Sequence, residues 1–277
     1  MTIDISLEEL VKTGAHFGHQ VKRWNPRMEK FIHSSQNGVH IFDLIKTKEC
    51  LGEALDVLRK SANEGKTIVL LGTKKQIKDK IKSVAEDAGV SYVNERWLGG
   101  TITNFEQVKK SSDKLEKLSK GLASGEYDTY TKKEKLLMER EIQRLERFFG
   151  GIKNMTKVPD LVFIIDIRKE RGAVREASVK GVETIGIVDT NSDPNLVDYP
   201  IPMNDDAKKA IEYVLDLVSA AIKEGKKGDI KEKSDIVKKA VKKDVVEKVV
   251  LKKAKTPSKR KPAKTNTKVK TKKTKSK

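Results

Sequence analysis

Apolar positions along the chain follow two rhythms. Short continuous runs, TIVLLG from Thr67, DLVFIID from Asp160 and ETIGIVD from Glu183, show no polar alternation. Such runs predict strands buried on both faces of a parallel sheet, and SYVN from Ser91 reads as a further short strand. The segments KKQIKDKIKSVAEDAG from Lys74, RKERGAVREASVKG from Arg168 and NDDAKKAIEYVLDLVSAAIKEG from Asn204 carry apolar residues at helical spacing. Only a short YPIP segment separates the third run from the last of these helices. The alternation predicts an α/β fold with a doubly wound parallel sheet.

Two other segments have a different period. Val108, Ser111, Leu115, Leu118 and Leu122 advance in steps of three and four, as do Met138, Ile142, Leu145 and Phe149. These are seam positions of paired helices, and Thr131 with Glu134 forms a capping box for the second. An antiparallel helical hairpin turning through GEYDTY, about 30 Å long if each arm has ~20 residues, is therefore predicted between the halves of the sheet. Its Lys- and Glu-rich faces suit either a solvated surface or a binding face. Near the N-terminus, Ser6 and Glu9 predict a short helix that stops at Gly14, with the following HFGHQVKRWNP in a loop. FIHSS and VHIFDL flank Gln36-Asn37-Gly38, the signature of a tight β-hairpin. A helix from Thr47 to Glu64 follows, closed by Gly65. The predicted organisation is a core of residues 1–103 and 151–224, an inserted hairpin of residues 104–150 and a lysine-rich tail of residues 225–277.

Charge sharpens that division. Residues 223–277 hold 23 Lys and Arg against 6 Asp and Glu, so the tail carries +17 of the formal +19 and the remaining body only +2. The tail ends in TPSKRKPAKTNTKVKTKKTKSK, which has almost nothing to bury, and is expected to be disordered when free. Ile236, Val237, Val241, Val245 and Val249 allow a conditional helix before it. A near-neutral body binds polyanions only through local clusters. With 36% hydrophobic residues the body suffices for a full core. No apolar run is long enough to cross a membrane, no signal peptide opens the chain, and the single cysteine, Cys50, forms no internal disulfide. A soluble cytoplasmic protein with no membrane partner is expected.

Candidate chemistry gathers at the predicted carboxyl edge of the sheet. Gly72-Thr73-Lys74-Lys75 lacks both Walker spacing and the dinucleotide glycines. Two lysines in a first helical turn oppose the helix dipole, so a phosphate there is one reading and lysines extending into water the other. Arg96, Trp97, Arg168, Lys169 and Arg171 follow later strands and would join them in one patch. Trp24 and Trp97 each follow an arginine, an arrangement that stacks on bases or anchors a loop. Asp166, Asp189 and Asp193 suit magnesium and phosphate-ester chemistry, or simple turns and caps. Spacing nominates no nucleophile or general base. His19, folded back toward the sheet edge, could join Asp189 and Asp205 on a structural zinc or magnesium ion, although no cofactor is required.

The motifs HFGHQ, RWNP, NGVHIFDL, GTKKQ, RWLGGTITNF, GGIKNM, PDLVFIID, IVDTNSDP and DYPIPMNDDA occur in this order between about residue 7 and residue 224. Together they resemble the bacterial small-subunit ribosomal protein two family. The resemblance implies a flavodoxin-like α/β/α core with the helical hairpin inserted, bound to small-subunit ribosomal RNA and without catalytic activity. It also implies neighbouring small-subunit ribosomal proteins as partners and, where an organism has one, docking of the large mRNA-binding protein. On that reading Lys22, Arg23, Trp24, Lys74, Lys75, Arg96, Trp97, Arg168, Lys169 and Arg171 are the expected RNA-facing residues. The rival function is a phosphate-ester enzyme using the sheet-edge acids. The lysine-rich tail departs from the family pattern.

Overall fold

The computed structural model describes residues 4–227. Beyond its first three residues, 225–227, the expected tail therefore lies outside the described residues, as does its conditional helix. Helix α1 (Leu7–Lys12) opens the chain, capped by the Ser6 hydroxyl, which accepts from the Glu9 N–H. Strands β1 (Phe17–Gln20), β2 (Ile32–Gln36) and β3 (Val39–Phe42) form a small antiparallel sheet in the order β1-β3-β2. Asn37 and Gly38 connect β2 to β3 with φ of 52° and 77°, the two left-handed residues that a tight hairpin turn requires. The HFGHQ segment is a strand rather than the expected loop, because its backbone pairs with β3, Phe17 opposite Ile41 and Gln20 opposite Val39. A 3-10 turn over Val21–Arg23 then carries Lys22 and Arg23.

Helix α2 (Leu44–Asn63) begins earlier than the apolar spacing predicts, since Asp43 caps it by accepting from the Ile45 N–H. Beyond it come β4 (Ile68–Leu71), α3 (Lys78–Ala88), β5 (Ser91–Val93), α4 (Phe105–Ala123), α5 (Lys132–Phe149), β6 (Leu161–Ile165), α6 (Arg171–Lys180), β7 (Glu183–Val188) and β8 (Tyr199–Pro202). A last helix, α7, runs over residues 208–227. The five later strands form one parallel sheet in the order β5-β4-β6-β7-β8. The first strand of this sheet thus lies between the second and third, the doubly wound order whose crossover reverses between β4 and β6.

Alternate side chains enter opposite cores. Ile68 and Leu70 of β4 and Leu161, Phe163 and Ile165 of β6 pack with α2, α3 and α7. Val69, Leu71, Val162 and Ile164 pack with α6 and with the root of the helical hairpin, where Val108, Leu115, Leu145 and Phe149 are buried. Strand β8 is the YPIP segment that strand propensity misses. It pairs with β7 alone, and an edge strand tolerates Pro200 and Pro202 because half of its backbone groups need no partner in the sheet.

The hairpin forms as the seam predicts, and both hydrogen bonds of the Thr131–Glu134 capping box are present. Ser112 rather than Ser111 is the buried serine of the seam. Toward the tip the seam opens, with Leu118, Leu122 and Met138 only half-buried.

Candidate functional site

The crossover between β4 and β6 is where doubly wound sheets usually bind a ligand. Here it is filled by the protein's own charges. Lys74 does not stand in the first turn of a helix, because α3 starts only at Lys78. Its side chain instead turns inward, and its Nζ lies 3.1 Å from Asp166 Oδ2, 2.8 Å from Asp205 Oδ1 and 2.7 Å from Asp206 Oδ1. It also donates to the Asp205 carbonyl oxygen at 2.6 Å. Lys74, expected to face RNA, is only 9% exposed, with its ammonium turned toward these carboxylates. Next to it, the Thr73 hydroxyl donates to Glu170, and Lys169 Nζ donates to the Thr73 carbonyl oxygen at 3.1 Å. Asp166 adopts a φ of 68° and accepts from the Lys169 N–H at 2.9 Å, a local bond that steadies a left-handed residue.

The N-terminal sheet closes this network from outside. His19 N–H donates to Thr190 Oγ1 at 2.9 Å, and the Asn25 N–H donates to the Thr190 carbonyl oxygen at 2.7 Å. Gly18 is essential to the approach, since a Cβ there would stand 2.6 Å from Thr190 Cγ2. His19 Nδ1 lies 3.0 Å from Asp189 Oδ1, and its Nε2 lies 3.6 Å from Asp206 Oδ2. His19, Asp205 and Asp206 each present a ligand atom, all within 4.8 Å of one another. The expected set of His19, Asp189 and Asp205 is therefore only partly brought together as donors. Asp189 is engaged by Nδ1, the position of a carboxylate that orients a histidine, and the adjacent Asp206 takes its place.

Four carboxylates share one ammonium and one imidazole, and the titrations follow from that count. Burial opposes the charge on Lys74, but Asp205, Asp206 and Asp166 outweigh it, so the ammonium is held charged well above the usual lysine range. Asp205 is pushed up to about 7 by burial and by the charges of Asp166 and Asp189, with Lys74 offsetting only part of this. The hydrogen bond to Asp189 raises His19 against the effect of its burial, with the three neighbouring carboxylates assisting. Asp206, largely exposed and bonded to Lys74, is lowered.

A second carboxylate organises the RWLGG loop. Glu176 on α6 accepts from Trp97 Nε1 at 3.1 Å, from the N–H groups of Gly100, Ile102 and Thr103 at 2.8, 3.0 and 3.1 Å, and from Thr103 Oγ1 at 3.0 Å. Burial disfavours its charge, yet these donors prevail and lower its pKa. Trp97, also expected to face RNA, is 8% exposed and anchors the loop. Trp24 is half-buried, its ring 5.2 Å from that of His40.

The remaining expected residues reach the surface. Lys22, Arg23, Lys75, Arg96, Arg168 and Arg171 are exposed outside the carboxyl ends of the strands, and among the described residues none of them forms an ion pair. Lys169 is exposed too but spends its ammonium on Thr73. Elsewhere on the core, lysines are commonly paired, as in Lys78–Glu95 and Lys80–Asp216. Sequence reasoning missed Glu176 and Asp206. The second was discoverable as the neighbour of Asp205, whereas no local signal marks the first.

The network yields a test. Lys74→Met leaves buried carboxylates without their cation and is expected to cost about 3–5 kcal/mol in urea unfolding at pH 8. Asp205 and His19 both have folded pKa values above their unfolded ones, so their contribution is present at low pH and lost as pH rises through the folded values. With chelator present, stability should fall as pH rises from the ordinary carboxylate range through about 7, where folded Asp205 loses its proton, by up to about 1.4 kcal/mol per pH unit for each proton involved. Asp205→Asn should flatten that slope; equal slopes in variant and parent would show that Asp205 is not the proton acceptor.

Among known families, the model described as ribosomal protein S2 matches residues 10–225. The match covers the parallel sheet, the inserted hairpin and the N-terminal sheet with its histidine. On these grounds the chain belongs to the ribosomal protein S2 family.

Proposed function

We propose that the unpaired cations outside the strand ends are the surface through which this protein meets ribosomal RNA. As a member of the S2 family it is a structural component of the small ribosomal subunit, acting in translation in the cytoplasm with ribosomal RNA and other ribosomal proteins. It is not an enzyme, and the phosphate-ester reading falls with that membership. The observation that carries the finer proposal is the exposure of Lys22, Arg23, Lys75, Arg96, Arg168 and Arg171 without ion pairs, in a body whose net charge is only +2. Cations not neutralised at home release counterions when they meet phosphate, and a rigid scaffold lets them select one RNA surface. The tail, with its +17, would add affinity that is sequence-blind and steeply salt-dependent.

Protein neighbours, including the large mRNA-binding protein where an organism has one, would meet apolar surface. Val11, Phe17 and Ile45 are 50%, 49% and 64% exposed, which supports that assignment. A structural zinc or magnesium ion would take His19 Nε2 with Asp205 and Asp206. Asp189 would hold the imidazole through Nδ1, an arrangement favoured by the proximity of these donors. The hairpin would act as an attachment arm, its outer faces meeting RNA or a neighbouring protein.

Three outcomes are expected. Reversing Lys22, Arg23, Arg96 and Arg168 to glutamate in the full-length chain should leave thermal melting unchanged and lower incorporation into reconstituted small subunits by about tenfold or more. Normal incorporation would exclude this surface. Stoichiometric zinc or magnesium should be present in protein purified without chelator and absent after His19→Ala; a metal-free parent would remove the ion from the account. Replacing residues 116–140 with a short flexible linker keeps the buried hairpin root, so the shortened protein should fold as before and incorporate poorly. Efficient incorporation would deny the arm its role.

A further inference from the structure

The face of α6 turned away from Glu176 borders an open groove. Its other wall is the 3-10 turn Pro194–Leu196, between β7 and β8. The groove has a volume of about 490 Å³ and is lined by Arg171, Arg175, Ser178, Val179, Asn195 and Leu196 among others. Two features distinguish it. No carboxylate lines it, and neither arginine has an ion pair among the described residues. The nearest acid of α6, Glu176, is committed to the RWLGG loop by five hydrogen bonds. The groove floor is apolar, and Val179 and Leu196 are 70% and 48% exposed.

We infer that this groove is a seat for a strand of RNA, with Arg171 and Arg175 on successive phosphates and Leu196 and Val179 beneath a ribose or base. The inference rests on the RNA-binding reading above and extends it from Arg171, at the edge of that surface, along α6 to Arg175 and the groove. Charge complementarity demands an anionic occupant. The two arginines stand one turn apart on α6, about 6 Å along the axis, which matches a repeating backbone charge better than an isolated anion. Guanidinium groups bind phosphate in a forked geometry, and exposed apolar side chains suit the face of an unstacked base. Arg168 and Arg171 continue the line to the carboxyl rim, so one strand could pass from rim to groove. In the other direction the cationic stretch ends, because the adjoining hollow past Leu196 is lined by Glu183 and Asp198. The groove should therefore hold a short segment of one strand rather than a duplex.

The test uses full-length protein in assembled small subunits. In a Cys50→Ser background, an iron chelate that generates hydroxyl radicals is tethered at Asn195→Cys or, as a separate probe of the rim, at Gln20→Cys. Only subunits that contain the tethered protein are analysed. In parallel, the Arg171→Gln, Arg175→Gln double variant is compared with the parent for the salt dependence of RNA binding. Losing two single-strand phosphate contacts should reduce the slope of log affinity against log salt by about 1.4. Cleavage of a short RNA segment from Asn195, together with that smaller slope, supports the groove. Cleavage from Gln20 but none from Asn195 overturns the groove and leaves the rim standing. Silence from both positions overturns both. Cleavage from Asn195 with an unchanged slope means that RNA passes nearby without occupying the groove, and this also overturns the inference, as does a protein found against Asn195 in place of RNA.

Discussion

The architecture turns on one ammonium group. Lys74 Nζ sits at the reversal of the sheet and ties three chain segments together, through Asp166 after β6 and through Asp205 and Asp206 after β8. In a doubly wound sheet this crevice is otherwise open, because the crossovers leave to opposite sides and nothing covers the strand ends between them. Here Lys74, Thr73 and Lys169 bridge it, and β1 is laid over the result through His19 and Thr190. A fold that elsewhere presents a nucleotide pocket is converted into a solid rim. Breaking one such buried contact strands the others, since a carboxylate without its cation inside the protein is far costlier than one in water. Chemistry at the strand ends is thereby given up for a fixed surface.

Much of this was readable in the sequence because the deciding forces were local. β4, β6 and β7 announce themselves through continuous apolar runs, and the hairpin through its seam and the Thr131–Glu134 cap. The failures share a different cause. The start of α3 moved because Lys74 is drawn to carboxylates whose partners lie 131 and 132 residues away, which no periodicity encodes. β1 was hidden because a four-residue strand with a glycine, a histidine and a glutamine has little intrinsic preference, and pairing with β3 supplies it. β8 was hidden by its two prolines, which only an edge accommodates. At the site, the exposed arginines and lysines were identifiable by type and by position after strands. The burial of Trp97 and Lys74 was not legible, because it is decided by Glu176 and Asp205, residues distant along the chain.

Charge is handled differently in the two halves of the polypeptide. The body carries nearly equal numbers of acids and bases, and about half of its cations are paired with an acid, so the rest take their meaning from where they lie. Long side chains such as Lys78 and Lys80 are drawn sideways along the surface by Glu95 and Asp216. Individually such exposed pairs add little stability, but each one removes a competing positive site from the surface. In the composition of the tail, lysines far outnumber acids.

Glu176 has a mechanical consequence. The loop it holds, from Trp97 to Thr103, runs directly into α4 at Phe105. With 19 residues, α4 is about 28 Å long, so the hairpin is a lever with its fulcrum at that loop. A hinge error of about 5° at the root would sweep the tip through roughly 2.5 Å over that length, comparable to a whole hydrogen bond. Five bonds converging on one carboxylate make the fulcrum stiff, and they do so from α6, an element seated on the sheet itself. The aim of a slender arm is thus steadied by an acid outside it, beside the packed root of Val108, Leu115, Leu145 and Phe149.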